Sequence, residues 1–118
     1  KKTGVPLIYF STGTAHMLDV LSEIECDVLS LDWRIDLAKA KNVLPKSFAI
    51  QGNLEPNLLF APFNILKKRA LAILDAVGTE PGFVFNLGHG ILPNTPIEAV
   101  ANLCRVVHDF PLKRADHL

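Results

Sequence analysis

Apolar residues recur along the chain in four short, nearly unbroken runs: Leu7-Ile8-Tyr9-Phe10, Val28-Leu29-Ser30-Leu31, Phe48-Ala49-Ile50 and Phe83-Val84-Phe85. Continuous rather than alternating apolar character is how strands read when both faces are covered, as in a parallel sheet flanked by helices. The segments between them follow the helical period instead. Met17, Leu18, Leu21 and Ile24 share one face of a first helix, with Asp19, Glu23 and Glu25 outside it. A second, short and weakly patterned helix is predicted from Ile35 to Lys41. In a third, Leu66, Ala70, Ile73 and Val77 form a stripe, Lys67, Lys68 and Arg69 lie off it, and Gly78 supplies the stop. The fourth has the clearest start: Thr95 as cap, Pro96 in the first turn and Glu98 three residues after Thr95 form a capping-box pattern. Its predicted buried stripe is Ile97, Val100, Ala101, Cys104 and Val107.

Strand followed by helix, repeated four times, implies right-handed crossovers and an α/β fold with parallel strands. Four such units make either a small open sheet or half of an eight-unit barrel, and periodicity does not choose between them. No Gly/Ser-rich linker or low-complexity tract divides the chain, so residues 1–118 are expected to form one domain, with a polar, frayed tail over 111–118. In both architectures function sits at the C-terminal ends of the strands. The residues there are Ser11-Thr12-Gly13, Asp32-Trp33-Arg34, Gln51-Gly52-Asn53 and Asn86 to Gly90. All four ends are polar or glycine-rich, more hydrogen-bonding capacity than plain connections need.

Composition narrows the partners. Twelve basic and twelve acidic residues balance to zero net charge in a chain that is 49% hydrophobic. That leaves no basic surplus of the kind nucleic-acid binders carry. No apolar run approaches the roughly 18 residues of a membrane helix, and no signal-peptide core follows Lys1-Lys2. The first residue is not Met, so the chain is expected to begin inside a longer one. Cys26 and Cys104 lie far apart and form no Cys-x-x-Cys pair; both are expected to be reduced and packed in helices. Lys67-Lys68-Arg69 lacks interleaved aromatics and reads as a solvated helix face, and the 78–82 loop lacks the Gly-Lys-Ser/Thr of a phosphate cradle.

Three segments carry a resemblance. Phe85-Asn86-Leu87-Gly88-His89-Gly90-Ile91, with Pro93 and Thr95-Pro96 behind it, is similar to the C-terminal signature of uroporphyrinogen decarboxylases. Leu31-Asp32-Trp33 with Asp36 resembles the family's Asp-Trp strand end. Gln51-Gly52-Asn53-Leu54-Glu55-Pro56 resembles its Gln-Gly-Asn-hydrophobe-Asp-Pro segment, with Glu55 in place of the usual Asp. Val107-His108 also fits, and the likeness runs from about Pro6 to Phe110. Each motif alone is weak; their order on successive strands is what gives them weight.

The resemblance implies that the chain is the C-terminal half of a (β/α)8 TIM-type barrel. It further implies a homodimeric, cytoplasmic parent enzyme that removes CO2 from the four acetate side chains of uroporphyrinogen to give coproporphyrinogen in haem biosynthesis. No cofactor and no metal are implied, since a protonated pyrrole serves as the internal electron sink. The family's catalytic Asp, paired arginines and active-site Tyr belong to the first half of the barrel and have no counterpart here. One substrate-contacting residue carries over, onto His89.

His89 also stands out by its own chemistry. Flanking glycines leave the ring exposed and let a ligand approach the backbone, and an imidazole donates a hydrogen bond or a charge to a carboxylate. General-acid duty is the less favoured role. For Asp32 and Trp33 a structural role is favoured over a pocket-facing one, Asp32 capping the following helix. Gln51 and Asn53 are expected to tie neighbouring loops through their amides, and His16 and His108 to have no site role. Two rivals remain. A zinc-dependent methyltransferase of the same superfamily would need a Cys near the end of the last strand, where Gly88-His89-Gly90 stands. The other is a non-catalytic half-barrel or binding module.

Overall fold

The computed structural model describes residues 4–111. Lys1 to Thr3 and Leu112 to Leu118, which include most of the expected polar tail, lie outside the described residues.

The strands are β1 (Ile8–Phe10), β2 (Val28–Ser30), β3 (Ala49–Leu54) and β4 (Phe83–Leu87), and the helices are α1 (Leu18–Leu21), α2 (Leu37–Val43), α3 (Phe63–Val77) and α4 (Ile97–Asp109). They alternate along the chain, and the sheet order is β1-β2-β3-β4. All three pairings are parallel, with Phe10 opposite Ser30, Ser30 opposite Gln51 and Gln51 opposite Val84. Sequential order with parallel pairing keeps every crossover on one side of the sheet. This is the α/β arrangement of four consecutive barrel units.

The helix side of the sheet is sealed by two apolar clusters. One joins Leu29, Leu31 and Ile50 of the strand region to Leu18, Leu21, Leu37, Ala40 and Val77. The other joins Leu54 to Leu59, Leu66, Ala70, Leu103 and Val106. Leu29, Leu31, Leu54, Leu59 and Leu66 are almost wholly inaccessible, and each such side chain contributes about 1.5–3 kcal/mol through the water-exposed apolar area it removes. The opposite face carries no helix. Ile8, Phe10 and Val84 are exposed there, so the continuous runs correspond to strands covered on one face only within this chain.

Several local expectations are corrected. The first helix is a 3-10 turn, Ala15–Met17, running into a single α turn; Leu18 and Leu21 are buried, while Met17 is exposed. β3 continues through Gln51-Gly52-Asn53, which were expected beyond its end, and β4 includes Asn86. A 3-10 helix at Pro56–Phe60 was not anticipated. Asp36, not Asp32, caps α2, accepting from the Ala38 and Lys39 N–H groups; such a cap contributes about 0.5–2 kcal/mol. The capping box at α4 does not form. Both the N–H and the hydroxyl of Thr95 bond to the Leu92 carbonyl, closing a turn before the helix, and Pro96 takes the cap position. α4 is also rotated from its expected orientation. Leu103 and Val106 are buried, but Ile97 is 85% exposed, and Ala101 and Cys104 are exposed too. Cys26 lies in the non-helical segment before β2, so neither cysteine is packed within a helix core. The stop at Gly78 is observed, with φ at 77° and its N–H bonded to the Leu74 carbonyl.

Within the described residues β1 and β4 each present an unpaired edge, and exposed edges template pairing with another chain. The 118-residue chain by itself is therefore expected to self-associate with rising concentration in sedimentation velocity. A single monomer boundary at high concentration would refute this.

Candidate functional site

The open face of the sheet has a chemical gradient. Toward the N-terminal ends of the strands it is apolar, with Ile8, Val28 and Ala49 in one row. Toward the C-terminal ends it turns polar, with Ser30, Gln51 and Asn86 beside the ring of Phe10. There, Phe10, Ser30, Gln51, Asn86, Leu87, His89, Gly90 and Ile91 line a concave pocket of about 330 Å3. The Gln51 amide donates to Ser30 Oγ at 3.0 Å, which orders two of the lining side chains.

His89 is brought to this rim by β4. The Gly88 N–H donates to the Leu54 carbonyl at 2.8 Å, extending the β3–β4 ladder one step beyond Leu87. His89 follows, exposed, with Nδ1 2.8 Å from the Gly90 carbonyl oxygen. A carbonyl can only accept, so Nδ1 carries the hydrogen. In the neutral ring Nε2 is then an acceptor. A protonated ring donates through Nε2 as well.

Asp32 sits at the end of β2 with no exposed surface, and it does not line the pocket. Its carboxylate is fully engaged. Oδ2 accepts from the Gly13 N–H at 2.8 Å and from the Arg34 guanidinium at 2.9 Å, and Oδ1 accepts from the Arg34 N–H at 2.9 Å. Burial works to raise its pKa. The backbone donations of Arg34 and Gly13, with the charge and side-chain bond of Arg34, outweigh that and hold it below the ordinary carboxylate value. Arg34 lies 4.6 Å over the Trp33 ring. The helix-capping role expected of Asp32 is replaced by a tie between loops, and its oxygens are committed to donors rather than free for proton transfer.

This gives a pH prediction. An unfolded Asp titrates near about 3.9, and the folded group titrates lower. Its contribution to stability is therefore complete above that value and is lost as pH falls through the folded pKa. The difference in urea midpoint between wild type and Asp32→Asn should be widest near neutral pH and shrink on acidification below about pH 4. A difference independent of pH would contradict the assignment.

Asn53 is buried, and its Nδ2 donates to the carbonyls of Asp32 at 2.9 Å and Ile35 at 2.6 Å. This is the loop-tying role expected of its amide. Gly88, not singled out for its own role before, is the tightest point of the rim. A Cβ there would strike Trp33 N and Cβ, and would lie 2.7 Å from Trp33 Cα. The only sequence signal for this was glycine at a strand end. His16 and His108 are exposed, and neither lines the rim pocket. Among the described residues no group of three His, Cys, Asp or Glu side chains is placed to hold a metal ion, and no helix is long and apolar enough to cross a membrane.

Four consecutive parallel βα units, with their polar constellation at the strand C-termini, define this chain as part of a barrel of the TIM type. Comparison with solved structures agrees: a methyltransferase from Methanosarcina mazei superposes with a TM-score of 0.67 at 28% identity, covering 79% of this chain and 27% of that one. The family model for uroporphyrinogen decarboxylase matches residues 1–110, and the chain belongs to that family. Its relatives include the uroporphyrinogen decarboxylases of Anaeromyxobacter sp. (strain Fw109-5), 48% identical over 113 residues, and of Koribacter versatilis (strain Ellin345), 48% identical over 108 residues. These alignments take in 96% and 92% of this chain but only 32% and 31% of the relatives. The chain thus spans about a third of the length of the curated relatives it matches.

Proposed function

We propose that the protein to which this chain belongs decarboxylates the four acetate side chains of uroporphyrinogen to yield coproporphyrinogen, and that His89 holds one of the substrate carboxylates. The carrying observation is the His89 ring at the mouth of the rim pocket, its Nδ1 tied to its own loop. With Nδ1 tied to its own loop, Nε2 is the ring nitrogen left to meet a substrate carboxylate, and a protonated ring gives it a charge-assisted bond. The reaction itself needs a proton on a pyrrole carbon. The ring cation so formed accepts the electron pair of the breaking C–C bond as CO2 departs, a second proton completes the methyl group, and the first leaves the pyrrole carbon to restore the ring, so that each acetate takes up one proton net. No metal or organic cofactor takes part. The enzyme acts as a homodimer in the cytoplasm, as the family resemblance implies.

The acid that opposes the cationic intermediate is carried by the other part of the barrel. Asp32 is an unsuitable substitute, since its oxygens are engaged by Gly13 and Arg34. The protein extended upstream should convert uroporphyrinogen III to coproporphyrinogen III, and the purified 118-residue chain should give no turnover above buffer. Turnover by the short chain would overturn this division of labour. An inactive extended protein would overturn the decarboxylase reading.

The likeness to a methyltransferase structure favours a second reading, methyl transfer; in the zinc-dependent form weighed from the sequence, the metal activates a thiol. That chemistry calls for soft ligands gathered at the strand ends. Here Cys104 is exposed on α4 and Cys26 precedes β2, so the donor set does not suit it. Stoichiometric zinc in the extended protein would revive this alternative.

A further inference from the structure

The turn after β2 touches the ends of all three other strands. Toward β1, the Asp32 carboxylate accepts from Gly13. Toward β3, the Asn53 amide holds the carbonyls of Asp32 and Ile35. Toward β4, Trp33 N, Cα and Cβ occupy the space that a side chain at residue 88 would need. β2 and β4 are not neighbours in the sheet, because β3 lies between them; their ends meet by reaching across the end of β3.

Gly88 is consequently fixed from two sides. Its N–H is bonded to Leu54 of β3, and its Cα rests against the Trp33 backbone. His89 is the next residue, so the only freedoms left to its imidazole are its own backbone and side-chain torsions. We infer that residues 32–35 form a keystone that sets where His89 stands on the rim, and that Asp32 and Asn53 are positioning residues acting on it through Trp33 and Gly88. Neither side chain lines the pocket. The functional meaning of this rests on the carboxylate role proposed for His89; the mechanical coupling does not.

The chemistry of the ties explains the residue types. Asp32 faces three donors, Gly13 N–H, Arg34 N–H and the Arg34 guanidinium, and a carboxylate can accept from all of them. An amide cannot, since its NH2 end would confront a donor. Asn53 faces two carbonyls and needs two N–H groups on one atom, which an amide provides and a carboxylate does not.

The test is the position of the imidazole, read by NMR on the isotope-labelled full-length protein. The His89 ring signals are assigned by their loss in His89→Ala. Asp32→Asn and Asn53→Ala should each displace the His89 ring and Gly90 amide cross-peaks and leave the His108 ring in place. Val77→Ala, in the buried end of α3, serves as a control for general loosening and should leave the His89 signals unmoved. If both rim variants are folded by circular dichroism and their His89 signals coincide with wild type, the keystone is refuted. Equal displacement by Val77→Ala would refute it too. Should Asn53→Ala fail to fold, Asp32→Asn decides alone. Because the readout is a ring position and not turnover, it stands or falls separately from the decarboxylase reading, which the porphyrin assay decides.

Discussion

Replacing Gly88 by alanine should destabilise the chain by about 3 kcal/mol, the upper end of the range for overpacking a filled site. The added methyl meets the backbone and Cβ of Trp33 rather than the tip of a flexible side chain. Trp33 has little room to retreat, because Asn53 anchors the carbonyls of Asp32 and Ile35 on either side of it. Gly88 cannot retreat either without breaking its bond to Leu54. The natural comparison is Gly90→Ala, two residues on, where a Cβ would meet nothing within 4 Å and φ is not positive. That change should stay within about 0.5 kcal/mol of wild type. Urea unfolding of the two variants in parallel measures the difference, with the slope as a check that the unfolding transition itself is unchanged. Similar midpoints for both would mean that Trp33 and Gly88 are not in the contact described.

Replacing His89 by alanine in the full-length protein should separate function from stability. The side chain is exposed and bonds only to its neighbouring carbonyl among the described residues, so the stability change should lie within about 0.5 kcal/mol. The proposed substrate, uroporphyrinogen, carries eight carboxylates, and a hydrogen bond to a charged group contributes about 1.5–3 kcal/mol. At about tenfold per 1.4 kcal/mol, kcat/KM should fall by about 10- to 200-fold. A positioning contact moves the substrate without removing the acid, so partly decarboxylated porphyrinogens should accumulate. Loss of an essential acid would give a much larger fall with no intermediates, and a bystander would match wild type in rate and in product mixture. Chromatography of the porphyrins after a timed incubation distinguishes the three.

The alternation of apolar runs with helical stripes was enough to specify four βα units, and the glycine at residue 78 was enough to end α3, because both are properties of short stretches of chain. The same holds for the rim: each strand end announced itself by polar and glycine residues, and His89 by its motif. What periodicity could not supply was which surfaces meet. α4 has apolar residues on two faces, Ala99, Leu103 and Val106 on one and Ile97, Ala101 and Cys104 on the other. Only the packing against α3 and the 56–60 turn decides that the first is buried. β3 runs on through Gln51 to Asn53 because its hydrogen-bond partners in β4 carry it there, whatever the polarity of its side chains. Asp32 looked like a cap or a catalytic group, since a carboxylate at a strand end serves either use equally well in sequence. Its engagement by Gly13, 19 residues away, is a long-range fact. The need for glycine at 88 is of the same kind, since the obstacle is the backbone of Trp33 arriving from a strand two places across the sheet. Local pattern determined the elements and the chemistry they carry. The non-local geometry of neighbouring strand ends decided which side chains face the pocket and which hold it in shape.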